Sequence, residues 1–147
     1  MWTTLTVDDL SSRLTGAELK ALQSAALGED QGDPTPEIIH RAIDECRSYL
    51  AARPNGDMGS EGTLPPQVHG PCLDIARYRL CTRLAVGGLA RTLLPDARRE
   101  EYKDAIALLR DIQSGKAEVE APKVLTTESL PNSATPKIRV PKGRFIL

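Results

Sequence analysis

The feature that most constrains the fold is the segment between Pro71 and Gly87, because it contains neither proline nor glycine. Its apolar residues recur at the spacing of one helix face, namely Leu73, Ala76, Leu80 and Leu84. A second, weaker apolar stripe lies about 180° away and consists of Ile75, Tyr78, Thr82 and Ala85. The segment therefore predicts a long helix that is either central in its own bundle or packed against a second subunit.

Composition extends this prediction to the whole chain. With 147 residues the chain forms one domain with a modest core, and aromatic residues make up only 3%. That core must come from Leu, Ile, Val and Ala, which suits helices. The expected fold is all-α, a small bundle of four to five helices with a long extended C-terminal arm.

Helix-start signals divide the rest of the body. Thr6 with Asp9 predicts the cap of a first short helix, and Thr15 with Glu18 has the spacing of a capping box for a second. Thr35 and Pro36 predict the N-cap and first residue of a third helix, and Pro95 the first residue of a fifth that ends at Gly115. The apolar stripes of the third and fifth helices are Ile39, Ala42, Ile43, Cys46 and Leu50, then Tyr102, Ala105, Ile106, Leu109 and Ile112.

The fourth helical region follows a loop that runs from Arg53 to Pro66 and shows no periodicity. Pro65 and Pro66 predict its opening. Pro71 does not fit deep inside a straight helix, so either a kink falls near Gly70 or the long helix begins there.

A histidine and two cysteines within thirteen residues suggest a metal site, but helix geometry opposes it. On one helix, Cys72 and Cys81 lie on opposite sides with α-carbons about 13 Å apart, too far for one ion or a disulfide. His69, Cys72 and Cys46 together lack the paired spacings typical of zinc sequences. We expect three free, buried thiols, no metal and no cofactor, with His40 at the surface.

No known catalytic motif occurs in the chain, and its carboxylates lie at helix starts or on polar faces. We therefore expect no catalytic residues and no enzyme activity. The N-terminus lacks the features of a signal peptide, and no run approaches the length of a membrane span. These features predict a soluble, intracellular protein with no membrane partner.

Charge separates a body from an arm. Residues 1–120 carry 14 basic against 19 acidic side chains, whereas residues 121–147 carry five basic groups against Glu128 alone. We expect a helical domain over 1–120 and an extended basic arm over 121–147, which contains four prolines. The arm is either a solvated tail or, because it ends in apolar residues, a docking segment that can add a strand to a neighbour. Its candidate partner-binding residues are Ile138, Arg139, Val140, Lys142, Arg144, Phe145, Ile146 and Leu147.

The second stripe of the fourth helix supplies a candidate subunit interface, made of Ile75, Tyr78, Arg79, Thr82 and Arg83. Six arginines between residues 77 and 99 also raise an alternative, a small helix-turn-helix DNA-binding regulator. Against it, no basic recognition helix stands out, and Arg77 and Arg83 are expected to pair with Asp74 or other acidic residues.

Four segments in order resemble the small head-to-tail connector, or adaptor, proteins of Mu-like tailed phages and prophages. They are TVDDLSSRLTGAELKALQ (6–23), PEIIHRAIDECRSYLAAR (36–53), LPPQVHGPCLDIARYRL (64–80) and LPDARREEYKDAIALLRDIQSGKAEV (94–119). The sequence departs from that family at Pro71 and in its long loop after Arg53.

The resemblance implies a virion structural protein of the neck, assembled in the bacterial cytoplasm. It implies a homo-oligomeric ring, commonly twelve-fold, that lies beneath the portal protein and joins capsid to tail. The implied partners are the portal and a tail-side connector or tail terminator protein, with DNA only as passing cargo. The acidic body, at a net charge of −5, suits a conduit for DNA better than a DNA-gripping surface.

Overall fold

The computed structural model describes residues 1–28, 33–84 and 95–122, with side chains left undescribed for 25–28. Its helices are α1 (Val7–Ser11), α2 (Gly16–Gly28), α3 (Thr35–Ala51), α4 (Pro66–Leu84) and α5 (Asp96–Ser114). In these ranges there is no strand, only an isolated antiparallel bridge between Thr3 and Leu64. The all-α prediction is confirmed.

Helix α4 is the centre of the bundle and packs against each of the other four helices. Residues from both of its apolar sides are buried, including Ile75, Ala76, Leu80 and Cys81. The two-sided pattern is therefore explained within one subunit. The predicted end of this helix at Gly87 lies outside the described residues.

Both predicted capping boxes are present. The Thr6 side chain accepts from the backbone of Asp9, whose carboxylate accepts from the Thr6 backbone in turn. At the start of α2, the Thr15 amide donates to Glu18 Oε1 at 2.8 Å, and the Glu18 amide donates to Thr15 Oγ1 at 3.3 Å. These reciprocal bonds satisfy donors that every helix N-terminus leaves unpaired.

The predicted starts of α3 and α5 are each wrong by one residue. Pro34, rather than Thr35, is the N-cap of α3, and the Asp33 carboxylate accepts from the Thr35 amide at 2.9 Å and its hydroxyl at 2.6 Å. Asp33 thus performs the capping role that was expected of Thr35. Pro95 is the N-cap of α5. Gly115 ends that helix in the left-handed conformation, as predicted.

Helix α4 begins at Pro66 and contains Pro71. The opening predicted at Pro65 and Pro66 is confirmed, and of the two alternatives for Pro71 the one in which the long helix begins there is wrong. Pro71 lies near the start of α4 and removes only the one bond that its amide would donate to the Gln67 carbonyl. Packing of α4 on every other helix outweighs that loss.

After α5 the described chain returns to the N-terminus. The Trp2 indole N–H donates to the Glu120 carbonyl at 2.6 Å, and the Glu120 amide donates to Gln67 Oε1 at 3.1 Å. Ala117 and Val119 are partly buried against the core. Residues 123–147, which make up nearly all of the arm, lie outside the described residues.

Candidate interaction surfaces

A buried charge network joins α2, α4 and α5. Glu18 is only 3% exposed, and its Oε1 accepts from Arg77 Nε at 3.2 Å and Nη2 at 2.9 Å. Its Oε2 accepts from Arg98 Nε at 3.2 Å and from the Cys81 thiol at 2.7 Å. One carboxylate thus holds two arginines and a thiol from two other helices.

The electrostatics of Glu18 follow from these contacts. Burial by itself raises the pKa of a carboxyl group, but the hydrogen bonds from Arg77, Cys81, Thr15 and Arg98 outweigh it. They lower the pKa of Glu18 from 4.5 to about 2. Burial and the neighbouring Glu18 charge raise the pKa of Cys81 to about 12. Glu18 is therefore ionised and Cys81 a neutral thiol at neutral pH.

A second carboxylate completes the network. Arg98 Nη1 lies 2.9 Å from Glu101 Oε1, and Arg77 Nη1 lies 3.8 Å from Glu101 Oε2. Arg77 was expected to pair with Asp74 or with other acidic residues, and the structure shows the second alternative, because Asp74 pairs with Arg13 at 3.5 Å. Sequence reasoning identified Glu18 as a cap but missed its contacts with these distant arginines.

The candidate interface residues on α4 do not share one exposed face. Ile75 is 0% exposed and belongs to the core of its own chain, so it offers no surface to a partner. The Tyr78 ring stacks on Tyr102 of α5, with centroids 4.4 Å apart. Thr82 and Arg83 are exposed at the C-terminal end of the described helix.

Arg79, the remaining interface candidate, lies in a groove between α3, α4 and α5. Its Nη2 lies 2.6 Å from Glu45 Oε1. The groove has a volume of about 630 Å³, and its walls include Tyr49, Tyr102 and Arg110. Tyrosine and arginine are enriched in protein interfaces, so we name this the tyrosine–arginine groove.

A second groove lies between the N-terminal segment and α3. It measures about 270 Å³, and its walls include Leu5, Val7, Pro36, Ile39 and Ile43. Apolar side chains make up most of these walls, so we name it the apolar groove. The two grooves lie on different parts of α3, since the tyrosine–arginine groove uses Glu45, Ser48 and Tyr49 of that helix.

The thiols have no reactive environment. Cys46, Cys72 and Cys81 are free and buried, as predicted. A hydrogen bond with Cys72 and burial raise the pKa of Cys46. Buried thiols of raised pKa are poor nucleophiles. His69 Nε2 lies 3.1 Å from the Leu64 carbonyl and 3.3 Å from Thr3 Oγ1, beside the Thr3–Leu64 bridge.

The structure brings no metal-binding set together among the residues it describes. His40 is exposed and pairs with Asp44 at 3.4 Å, as expected of a surface imidazole. Within the same ranges no helix combines the length and apolar content needed to cross a membrane. All candidate binding residues of the arm, from Ile138 to Leu147, lie outside the described residues.

These features define a class, a small helical protein whose described part has internally paired arginines and surface grooves that include the two named above. The sequence profile described as Bacteriophage Mu, Gp36 matches residues 5–138, which is most of the chain. The chain belongs to this bacteriophage family. No curated protein and no solved structure matches it.

Proposed function

We propose that this protein is a structural head-to-tail connector of a tailed phage or phage-like particle. In this role, copies of the chain form a ring below the portal, join capsid to tail and let DNA pass. The supporting observation is membership of a bacteriophage Mu family over residues 5–138, which include the body and part of the arm. The resemblance to connector proteins supplies the neck position and the commonly twelve-fold ring. The proposal assigns the protein no catalytic step.

Ring formation sets a physical requirement that the body meets. A heterologous contact repeated around an axis needs two different surfaces on each subunit. The tyrosine–arginine groove and the apolar groove differ in chemistry and are lined by different elements. Thr82 and Arg83 add an exposed polar surface to α4.

The charge distribution favours a channel through which DNA passes rather than a surface that binds DNA tightly. Among the described residues, four of the arginines between residues 77 and 99 have carboxylate partners; of these, Arg77 is buried and Arg98 is half-buried. An arginine paired inside the body is not free to neutralise phosphate, which supplies most of the affinity of a DNA binder. The helix-turn-helix alternative therefore has little support, and it becomes an outcome of the test.

The test mixes the purified full-length chain with portal rings of the same phage and images the product by electron microscopy. We expect saturable binding and a ring coaxial with the portal. A parallel titration with duplex DNA at physiological salt should show only weak binding without sequence preference. Nanomolar binding to one operator sequence, together with no portal binding, would establish the regulator instead.

A further inference from the structure

Four exposed carboxylates are next in sequence to residues that line the apolar groove, and we call these four residues the acidic rim. They are Asp8, Glu37, Asp44 and Glu61. Glu37 pairs with Arg41 at 2.7 Å and Asp44 with His40 at 3.4 Å. In the part of the chain that the structure describes, Asp8 and Glu61 have no such ion pair. The rim therefore carries uncompensated negative charge.

The arm has the complementary pattern. Basic and apolar residues are interspersed near its end. The basic ones are Lys137, Arg139, Lys142 and Arg144, and the apolar ones are Ile138, Val140 and the run from Phe145 to Leu147. In an extended chain, Ile138 and Val140 point to one side and Arg139 to the other. Such a segment presents apolar side chains to a groove while its cations reach a surrounding acidic rim.

The length of the arm and its starting point determine which grooves it can reach. The Glu120 carbonyl accepts a hydrogen bond from Trp2, and Thr4 is the first residue along the chain that lines the groove. The last described residues before the arm therefore lie near the groove of their own chain. Between Pro122 and Phe145 lie 22 residues, which allow the two ends to be up to about 80 Å apart when the chain is extended. Three prolines in that stretch favour extended backbone, so the length of the arm is sufficient for Phe145 to reach a neighbouring copy.

We propose that the apolar groove is the docking site for the arm of a neighbouring copy, with Phe145 as the apolar anchor and the basic residues paired with the acidic rim. This rests on the proposed function, because a ring places a neighbour within reach. Docking of this kind joins subunits head to tail, since each copy offers one arm and one groove.

The experiment uses a fluorescent peptide of residues 134–147 as probe. The receiving protein is the full-length chain with Phe145→Ala, whose own arm lacks the anchor. We expect saturable binding that weakens at least tenfold when the peptide carries Phe145→Ala, and that weakens further as salt rises. Binding that does not saturate, or is indifferent to Phe145, overturns the proposal.

Charge reversal tests the location. In the receiving chain, Asp8→Lys with Glu61→Lys should weaken the peptide about tenfold, because two attractions become repulsions. The matched control is Glu100→Lys with Asp104→Lys, two exposed positions on α5, which does not line the groove. A peptide with Lys142→Glu and Arg144→Glu should regain affinity for the reversed rim. Equal binding to the rim and control variants places the peptide elsewhere and overturns the proposal.

Two further readouts separate the remaining outcomes. If the wild-type chain sediments as a monomer at every concentration and excludes the peptide that the Phe145→Ala chain binds, the groove holds its own arm. That result overturns the assignment to a neighbour. A chain that joins portal rings but does not bind the peptide overturns the docking site alone, whereas the reverse pattern overturns the connector function alone.

Discussion

Glu18 connects three helices through one carboxylate. Among the described side chains of α2, the apolar ones that touch the core, Leu19, Ala21 and Leu22, are only partly buried. The bonds from Glu18 to Arg77 and Arg98 therefore hold α2 to α4 and α5. A buried ion pair adds little net stability when complete, but removal of one partner leaves the other charge uncompensated.

Glu18→Gln tests this role, because it keeps the shape of the side chain and removes its charge. We expect the free energy of unfolding to fall by about 3 kcal/mol, because buried Arg77 and half-buried Arg98 lose the Glu18 carboxylate and keep only Glu101 as a partner. Urea denaturation followed by circular dichroism measures it. The control is Glu37→Gln, which breaks the exposed Arg41 pair and should cost less than about 1 kcal/mol. Equal losses for the two variants would contradict the role.

The stability of the folded chain should also depend on pH through the Glu18 carboxylate. The pKa of Glu18 is lowered in the folded chain to about 2 from 4.5, so its contribution is complete above about pH 4.5 and is lost as pH falls towards 2. Burial raises the pKa of Asp74, which acts in the opposite direction. Melting temperatures from pH 6 to 2 should fall more steeply for the wild-type chain than for Glu18→Gln. Parallel curves would exclude Glu18 as the source.

At the scale of residues, the sequence predicts contacts between residues that are close together along the chain. The Thr15–Glu18 spacing predicted the capping box, because both bonds join residues three apart. The bonds from Glu18 to Arg77 and Arg98 span 59 and 80 residues. No local pattern encodes which arginine will lie opposite a given carboxylate after helices pack, so the network appears only in the structure.

At the scale of elements, periodicity predicted which segments are helical and which faces are buried. It left open what covers the second side of α4, since a stripe records that a face is apolar and not which chain covers it. The structure shows that the other helices of the same chain cover Ile75. Pro71 left a kink or a new helix start as alternatives, because local propensity omits the tertiary packing that holds α4 together across this residue.

The end of α5 offers a test of one element boundary. Gly115 has φ of +88°, and an added Cβ would lie 3.3 Å from the Pro54 side chain. Gly115→Ala should therefore lower the free energy of unfolding by about 1 kcal/mol, measured by thermal melting. Gly16→Ala is the matched control, because nothing lies within 4 Å of its added Cβ and its φ is not positive. A loss of similar size at Gly16 would show that the effect is not specific to the left-handed cap.

At the scale of the whole molecule, the sequence predicted a body and an arm but not the return of the chain after α5. That return is held by backbone bonds of Glu120 to Trp2 and Gln67, by its carboxylate pair with the N-terminus, and by the partial burial of Ala117 and Val119. A carbonyl contact has no sequence signature. We therefore place the end of the body after Glu120, and we expect the arm to begin near Pro122.

Two truncations test this boundary. A chain that ends at Pro122 should melt like the full-length protein, because the described contacts of Glu120 remain. A chain that ends at Lys116 should lose about 2 kcal/mol, since the Trp2 indole loses its acceptor and apolar contacts disappear. Differential scanning calorimetry distinguishes the two. Equal stability of the two truncated chains would show that residues 117–122 contribute nothing to the body.

The last prediction concerns Phe145, which separates folding from assembly. The described core is formed by residues from Trp2 to Ile112, so Phe145→Ala should leave helical content and melting temperature unchanged. Burial of an aromatic anchor contributes about 1.5 to 3 kcal/mol per contact, and a ring repeats each contact, so a small loss per subunit becomes a large loss of avidity. We expect incorporation into particles, measured by complementation of a phage that lacks the gene, to fall steeply. Phe145→Leu, which keeps an apolar side chain, should retain most of it. A lower melting temperature for Phe145→Ala would place this residue in the body, and normal incorporation would show that assembly does not use it.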